Sequence, residues 1–268
     1  MQAVSAIAAA QFRHPGILHA AHDWLLQQHA SVPPSALVTL LPALHSFGMA
    51  SSRLCDRAAR SLVAGLPALG PADKGALADV VWTLGARHNA GTYAATLDAT
   101  LRHLAGLGGP GGLPPKHLGR LARGLAGSSS AAVAAAVAEA ATAAAAALRR
   151  RAIAGPPLVD TLAGVAASGY KDEALLRAAA GPIALAAGRL SVKELCDVAA
   201  AYSQLDCVEP RLFAAIAPAV QSHTAEGLLS AEHAATLAWA FALQGMLHGP
   251  QLPSLCWTAA VRTRPCPA

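Results

Sequence analysis

Leu77-Ala-Asp-Val-Val-Trp-Thr-Leu-Gly-Ala-Arg-His88 recurs through the chain in degraded form. Upstream it reads Leu37-Val-Thr-Leu-Leu-Pro-Ala-Leu-His-Ser-Phe-Gly48. Downstream it returns as Leu118-Gly-Arg-Leu-Ala-Arg-Gly-Leu125, Leu158-Val-Asp-Thr-Leu-Ala-Gly-Val165, Leu195-Cys-Asp-Val-Ala-Ala-Ala-Tyr202 and Ala234-Ala-Thr-Leu-Ala-Trp-Ala-Phe241. Successive starts lie 40, 41, 40, 37 and 39 residues apart. A steady period of this size marks a stacked array, because a single two-helix unit cannot bury its apolar face without neighbours. The expected fold is all-α: an alpha-solenoid of about seven helix-turn-helix repeats, forming one right-handed array over 1–268 without a sheet. Its units start near Ala3, Leu37, Leu77, Leu118, Leu158, Leu195 and Ala234.

Counting the motif start as position 1, positions 1, 4, 5 and 8 are mostly apolar, as in Leu77, Val80, Val81 and Leu84. At 100° per residue they form one stripe, the expected buried face of a first helix. Positions 3, 6 and 10 point the other way. Position 3 is polar in all six of these units: Thr39, Asp79, Arg120, Asp160, Asp197 and Thr236. Position 6 holds Trp82, Arg123 and Trp239 among smaller residues. Stacking would align such residues along one surface, an arrangement suited to single-stranded RNA, with stacking and edge hydrogen bonds. Two readings stay open. The position 3 residues either meet bases or hydrogen-bond a neighbouring repeat, and Trp82 and Trp239 either stack on bases or pack between adjacent first helices. Asp79, Asp160 and Asp197 repel phosphates, so any contact they make with RNA must be to base-edge donors.

Helix punctuation supports the unit plan. First helices are expected to open at Pro33, Asp73, Pro114, Ala154, Ser191 and Ser230, with Asp73, Ser191 and Ser230 as N-caps. Ser191-Val-Lys-Glu194 is a capping box. Second helices are expected at 17–26, 51–65, 91–106, 130–151, 172–187, 210–224 and 250–262, with a kink or early stop at Pro182 and Pro218. The run Leu107-Gly-Gly-Pro-Gly-Gly-Leu113 joins two units. No strand pattern precedes it, which excludes a dinucleotide or phosphate loop.

Composition narrows the class. Hydrophobic residues reach 54%, yet much of this is alanine, a strong helix former that buries little area. The net charge of +5 suits nucleic acid or an acidic surface. Five scattered cysteines (Cys55, Cys196, Cys207, Cys256 and Cys266) lack metal or disulfide spacing, which favours a reducing compartment. No stretch of about 20 strongly apolar residues stands out as a membrane span; the nearest, Ala131–Leu148, is alanine-rich and contains Glu139. Residues 1–22 carry no acid, as in a transit peptide, but 3–14 also match the repeat and are expected to fold as its first helix.

Catalytic chemistry is not evident. His19 and His22 share a helix face beside Asp23 but lack a third ligand, so no metal site is expected. Cys207 has no activating neighbour in sequence, although His223 could meet it in the fold. The chain reads as a binding protein, not an enzyme, with no cofactor. Its basic clusters are Arg53, Arg57 and Arg60 on one helix, Lys116, His117, Arg120 and Arg123 on another, and Arg149, Arg150 and Arg151 at a helix end. They serve either as phosphate contacts or as solvated helix faces.

The units at Leu77 and Ala234, with the proline-rich lead-ins Val32-Pro-Pro-Ser-Ala-Leu37 and Leu113-Pro-Pro-Lys-His-Leu118, resemble octotricopeptide repeats and the related FAST-kinase-like helical repeats. The resemblance spans nearly the whole chain and is weakest at 118 and 158, where the tryptophan is missing. It implies an RNA-binding protein of a green-algal organelle, chloroplast or mitochondrion. Such a protein acts in transcript maturation, stability, splicing or translation, or as a component of an organelle ribosome, with single-stranded or ribosomal RNA and organelle proteins as partners. Larger members often carry a C-terminal RAP domain, for which 268 residues leave no room. The abrupt first unit fits a longer array or a partner that caps it. The competing expectation is a protein-interaction scaffold of the armadillo or HEAT type, whose groove would be apolar or acidic instead of electropositive.

Overall fold

The computed structural model describes residues 15–85, 90–126, 128, 130–246 and 255. Among them, every regular element is helical and no strand occurs. The first-unit expectation at 3–14 and the second helix at 250–262, apart from Leu255, lie outside the described residues. The chain divides into two compact units, 1–140 and 141–268.

The first unit holds α1 (Pro15–Gln28), α2 (Pro34–Ser46), α3 (Ser52–Gly65), α4 (Lys74–Gly85), α5 (Ala90–Gly106), α6 (Pro115–Leu125) and the start of α7 (Ala131–Arg149). Alternate helices are neighbours: α2, α4 and α6 pack in one row, α1, α3 and α5 in another, and α2–α3 and α4–α5 contacts join the rows. The second unit holds the end of α7, then α8 (Pro156–Ala167), α9 (Glu173–Ala186), α10 (Val192–Gln204), α11 (Pro210–Ala225) and α12 (Ala231–Leu243). Here α8, α10 and α12 form one row, and α9 packs on α11.

The apolar stripe explains the rows. Positions 1, 4, 5 and 8 are buried in all six first helices, except that Ala238 is half-exposed. Thr161, at position 4 of α8, is fully buried; its hydroxyl donates to the Pro157 carbonyl at 2.8 Å, so no polar group is stranded. Polar ties recur between row neighbours. Tyr93 donates to Asp56 at 2.7 Å and Ser130 to Asp98 at 2.5 Å. Near the ends of α5 and α11, the rings of His103 and His223 meet the carbonyls of Leu69 and Leu190 at 3.1 and 3.2 Å.

Punctuation follows the side-chain chemistry, with two corrections. Ser51, Asp172, Ser191 and Ser230 each cap a helix through the side chain, and Ser191 and Glu194 form the full capping box. Asp73 is not an N-cap. It ends a 3-10 turn, Pro71–Asp73, and reaches back to accept the Gly70 N–H at 2.9 Å. The α8 helix starts at Pro156 behind Gly155, not at Ala154. Pro182 and Pro218 lie inside α9 and α11 without ending either. The glycine run 107–113 is a loop, and a Cβ on Gly109 would strike the Glu139 carboxylate. By length and composition α7 is apolar enough to cross a bilayer, against the sequence expectation; half of it is buried within the protein, as in a core helix.

Candidate nucleic-acid interface

In the first unit α4 and α6 approach unusually closely. A Cβ on Gly124 would lie 2.5 Å from the Trp82 Cα, and one on Gly85 would enter the Gly124 carbonyl. Position 7 of the motif, which contains Gly124, is small in every unit: Ala43, Thr83, Gly124, Gly164, Ala201 and Ala240. The uniform smallness of this column is the visible sequence signal of close helix contact, and it is absent from the polar and apolar columns read above.

Helices this close bring side chains of successive units into direct contact. The His45 ring stands nearly perpendicular to the Trp82 indole, with centroids 4.5 Å apart and an interplanar angle of 83°. The Arg120 guanidinium carbon lies 4.9 Å from the Trp82 ring centroid, a cation–π distance. Arg120 Nη1 donates to Asp79 Oδ2 at 2.6 Å, and His117 Nδ1 lies 2.8 Å from Asp79 Oδ1. A carboxylate oxygen can only accept here, so His117 carries its proton on Nδ1. Gly75 leaves room for that ring, since a Cβ there would sit 3.1 Å from it. Five side chains from α2, α4 and α6 thus make one cluster. Their contacts run obliquely: position 9 of one unit (His45) meets position 6 of the next (Trp82), which meets position 3 of the following one (Arg120). Period counting alone aligns like positions and does not show this stagger.

Asp79 is only 13% exposed and Arg120 24%, so the ion pair is partly shielded from solvent and worth more than a surface pair. The Trp82 ring contacts residues of both α2 and α6, an inter-helix packing position. Elsewhere on this row, Lys116 is exposed and Arg123 half-buried on α6. Thr39 is exposed on α2, where its hydroxyl donates to the Ser35 carbonyl at 3.0 Å. The cluster of Arg53, Arg57 and Arg60 belongs to α3 in the other row, and Arg57 donates to the Leu26 carbonyl at 2.6 Å.

The second unit distributes its residues differently. Asp197 pairs with Lys193 one turn earlier at 2.8 Å, and the Thr236 hydroxyl donates to the Glu232 carbonyl at 3.0 Å. Asp160 is half-exposed on α8. Trp239 is 46% exposed on α12, with Leu243 exposed one turn on. Arg149, Arg150 and Arg151 are exposed at the end of α7.

The thiols of Cys196 and Cys207 lie far from nucleophilic form. Burial, reinforced by Asp197 and Glu232, pushes the Cys196 thiol up to about 12, and burial raises Cys207 as well. His22 lies 3.0 Å from both Asp23 and the Ser51 hydroxyl. Among the described residues no group of three or more His, Cys, Asp or Glu side chains could hold a metal ion. No protein family and no curated protein matches the chain.

Proposed function

We propose that the chain is an RNA-binding helical array, an alpha-solenoid of about seven two-helix units, whose first-helix row carries the nucleic-acid surface. One observation carries the reading: α6 displays Lys116, Arg120 and Arg123, with Arg120 resting on the Trp82 indole beside it. Cations fixed along one helix row suit an RNA backbone better than an acidic peptide, because they are spaced singly along a helix and backed by an aromatic ring. The resemblance to octotricopeptide repeats supports the same assignment. It extends the proposal to a chloroplast or mitochondrion and to a role in transcript maturation, stability or translation, or in an organelle ribosome.

A second reading has its own observation. A groove of about 390 Å³ lined by Ile17, Ala20, Ala21, Trp24, Leu25, Leu40 and Leu44 lies among the described residues of the first unit. Trp24 is 42% exposed there and Ile17 38%. An apolar groove is what a protein-interaction scaffold would present.

Two measurements test the RNA reading. Crosslinking in the native organelle, with sequencing of bound RNA, should recover defined transcripts or ribosomal RNA. In vitro, affinity for single-stranded RNA should fall steeply with salt. Arg120→Ala with Arg123→Ala should weaken every sequence alike and flatten the salt slope. Salt-independent binding, or recovery of proteins without RNA, favours the scaffold.

A further inference from the structure

We infer that Asp79 is a positioning residue: it holds Arg120 over Trp82 so that the free N–H groups of the guanidinium meet one backbone phosphate of single-stranded RNA. The inference rests on the RNA-binding reading and gives one residue of that surface a specific role. Asp79 carries the charge least suited to an RNA surface, yet it sits in the middle of one. Its two oxygens are occupied, Oδ1 by His117 at 2.8 Å and Oδ2 by Arg120 at 2.6 Å. A base edge would have to compete with both donors to reach it, which argues against base readout.

Arg120 has the opposite character. Guanidinium carries five N–H donors in a rigid fork, and among the described residues Asp79 is its single hydrogen-bond partner. One edge is therefore anchored, the guanidinium lies over the indole, and the remaining donors have no acceptor among the described residues. A free arginine side chain loses rotamer entropy when a ligand fixes it. Here Asp79 and Trp82 fix it beforehand, so less is lost on binding. The ligand class follows from the surroundings. Lys116 lies one turn before Arg120 on α6 and is exposed, so the local field stays positive despite Asp79. The Trp82 ring is already engaged by His45 and Arg120, so an incoming base would have to compete with both to stack on it. Cationic donors beside an aromatic ring that is already engaged favour the phosphate over a base.

The sign of one substitution separates positioning from simple charge. Coulomb repulsion alone predicts that Asp79→Asn, by deleting a negative charge, tightens RNA binding. Positioning predicts that it weakens binding. Fluorescence anisotropy with labelled oligo(U), oligo(A) and oligo(C), using the full chain, reads the difference. Asp79→Asn should lose about three- to tenfold on all three homopolymers alike. Arg120→Lys, which keeps the charge but not the fork, should lose nearly as much as Arg120→Ala. The double variant Asp79→Asn/Arg120→Ala should bind no worse than Arg120→Ala, since the carboxylate then has nothing to hold. Unchanged or tighter binding by Asp79→Asn, loss confined to one homopolymer, or wild-type affinity in Arg120→Lys each overturns the inference. Melting temperatures accompany every variant; if Asp79→Asn does not fold, Arg120→Lys, which leaves Asp79 in place, decides. Failure of the wild type to bind any homopolymer is the separate failure of the RNA reading itself.

Discussion

Arg151 shows how a single residue departs from the rule its neighbours obey. Several helices end with a backbone N–H reaching back five residues around a left-handed position: Met49 to Leu44 around Gly48, Tyr170 to Val165 around Gly169, Met246 to Phe241 around Gly245. Glycine suits that position because it has no Cβ. After α7 the same closure joins Ala152 to Ala147 at 2.8 Å, but Arg151 occupies the left-handed site at φ 55°. Arg151→Gly should therefore raise stability by about 0.5–1 kcal/mol, read as an increased melting temperature. An unchanged or lower value would show that the arginine side chain compensates its backbone strain. Asp79 teaches the same lesson from the side of charge. By sequence alone, position 3 could meet either bases or a neighbouring repeat. The structure gives Asp79 partners on α6, His117 and Arg120, that lie 38 and 41 residues away.

Among the elements, the contact of α4 with α6 is the most demanding. It depends on bare backbone at Gly85 and Gly124, with no side chain able to rotate out of the way. In Gly124→Ala the new methyl would meet the Trp82 Cα and the Val81 carbonyl oxygen at 2.5 Å, so the helices must separate. We expect a loss of roughly 2–3 kcal/mol in chemical denaturation, the cost of overpacking a rigid contact. Gly106→Ala, where a Cβ meets nothing within 4 Å, is the control and should be neutral or mildly stabilising. Separation of α4 from α6 would also pull Arg120 away from Trp82, so Gly124→Ala should weaken RNA binding beyond its effect on folding.

Across the whole molecule, the described helix contacts within each unit join elements close in sequence, and the side-chain ties between row neighbours span about 30–40 residues. Loop closure is therefore inexpensive throughout, and short-range topology folds quickly. Refolding followed by helical circular dichroism should have its main phase on the order of milliseconds, not seconds. A dominant phase of seconds would point to long-range pairing absent from the described contacts. The mild positive charge acts at this scale too, concentrating polyanions near the surface without specifying where they bind.

The all-helical class, the buried stripe and the caps at Ser191 and Ser230 were legible in the sequence because each rests on periodicity or local chemistry that travels with the residues. Leu77, Val80, Val81 and Leu84 had to share a face whatever surrounded them, and Ser191 with Glu194 could cap a helix unaided. The cluster around Trp82 was not legible. His45, Trp82, Asp79, His117 and Arg120 meet through a stagger between neighbouring helices, and that stagger depends on how closely α4 can approach α6. Backbone contact at Gly85 and Gly124 sets the distance, so only the tertiary structure decided that Trp82 meets residues of both neighbouring helices, that Asp79 is paired, and that Arg120 is anchored on one edge.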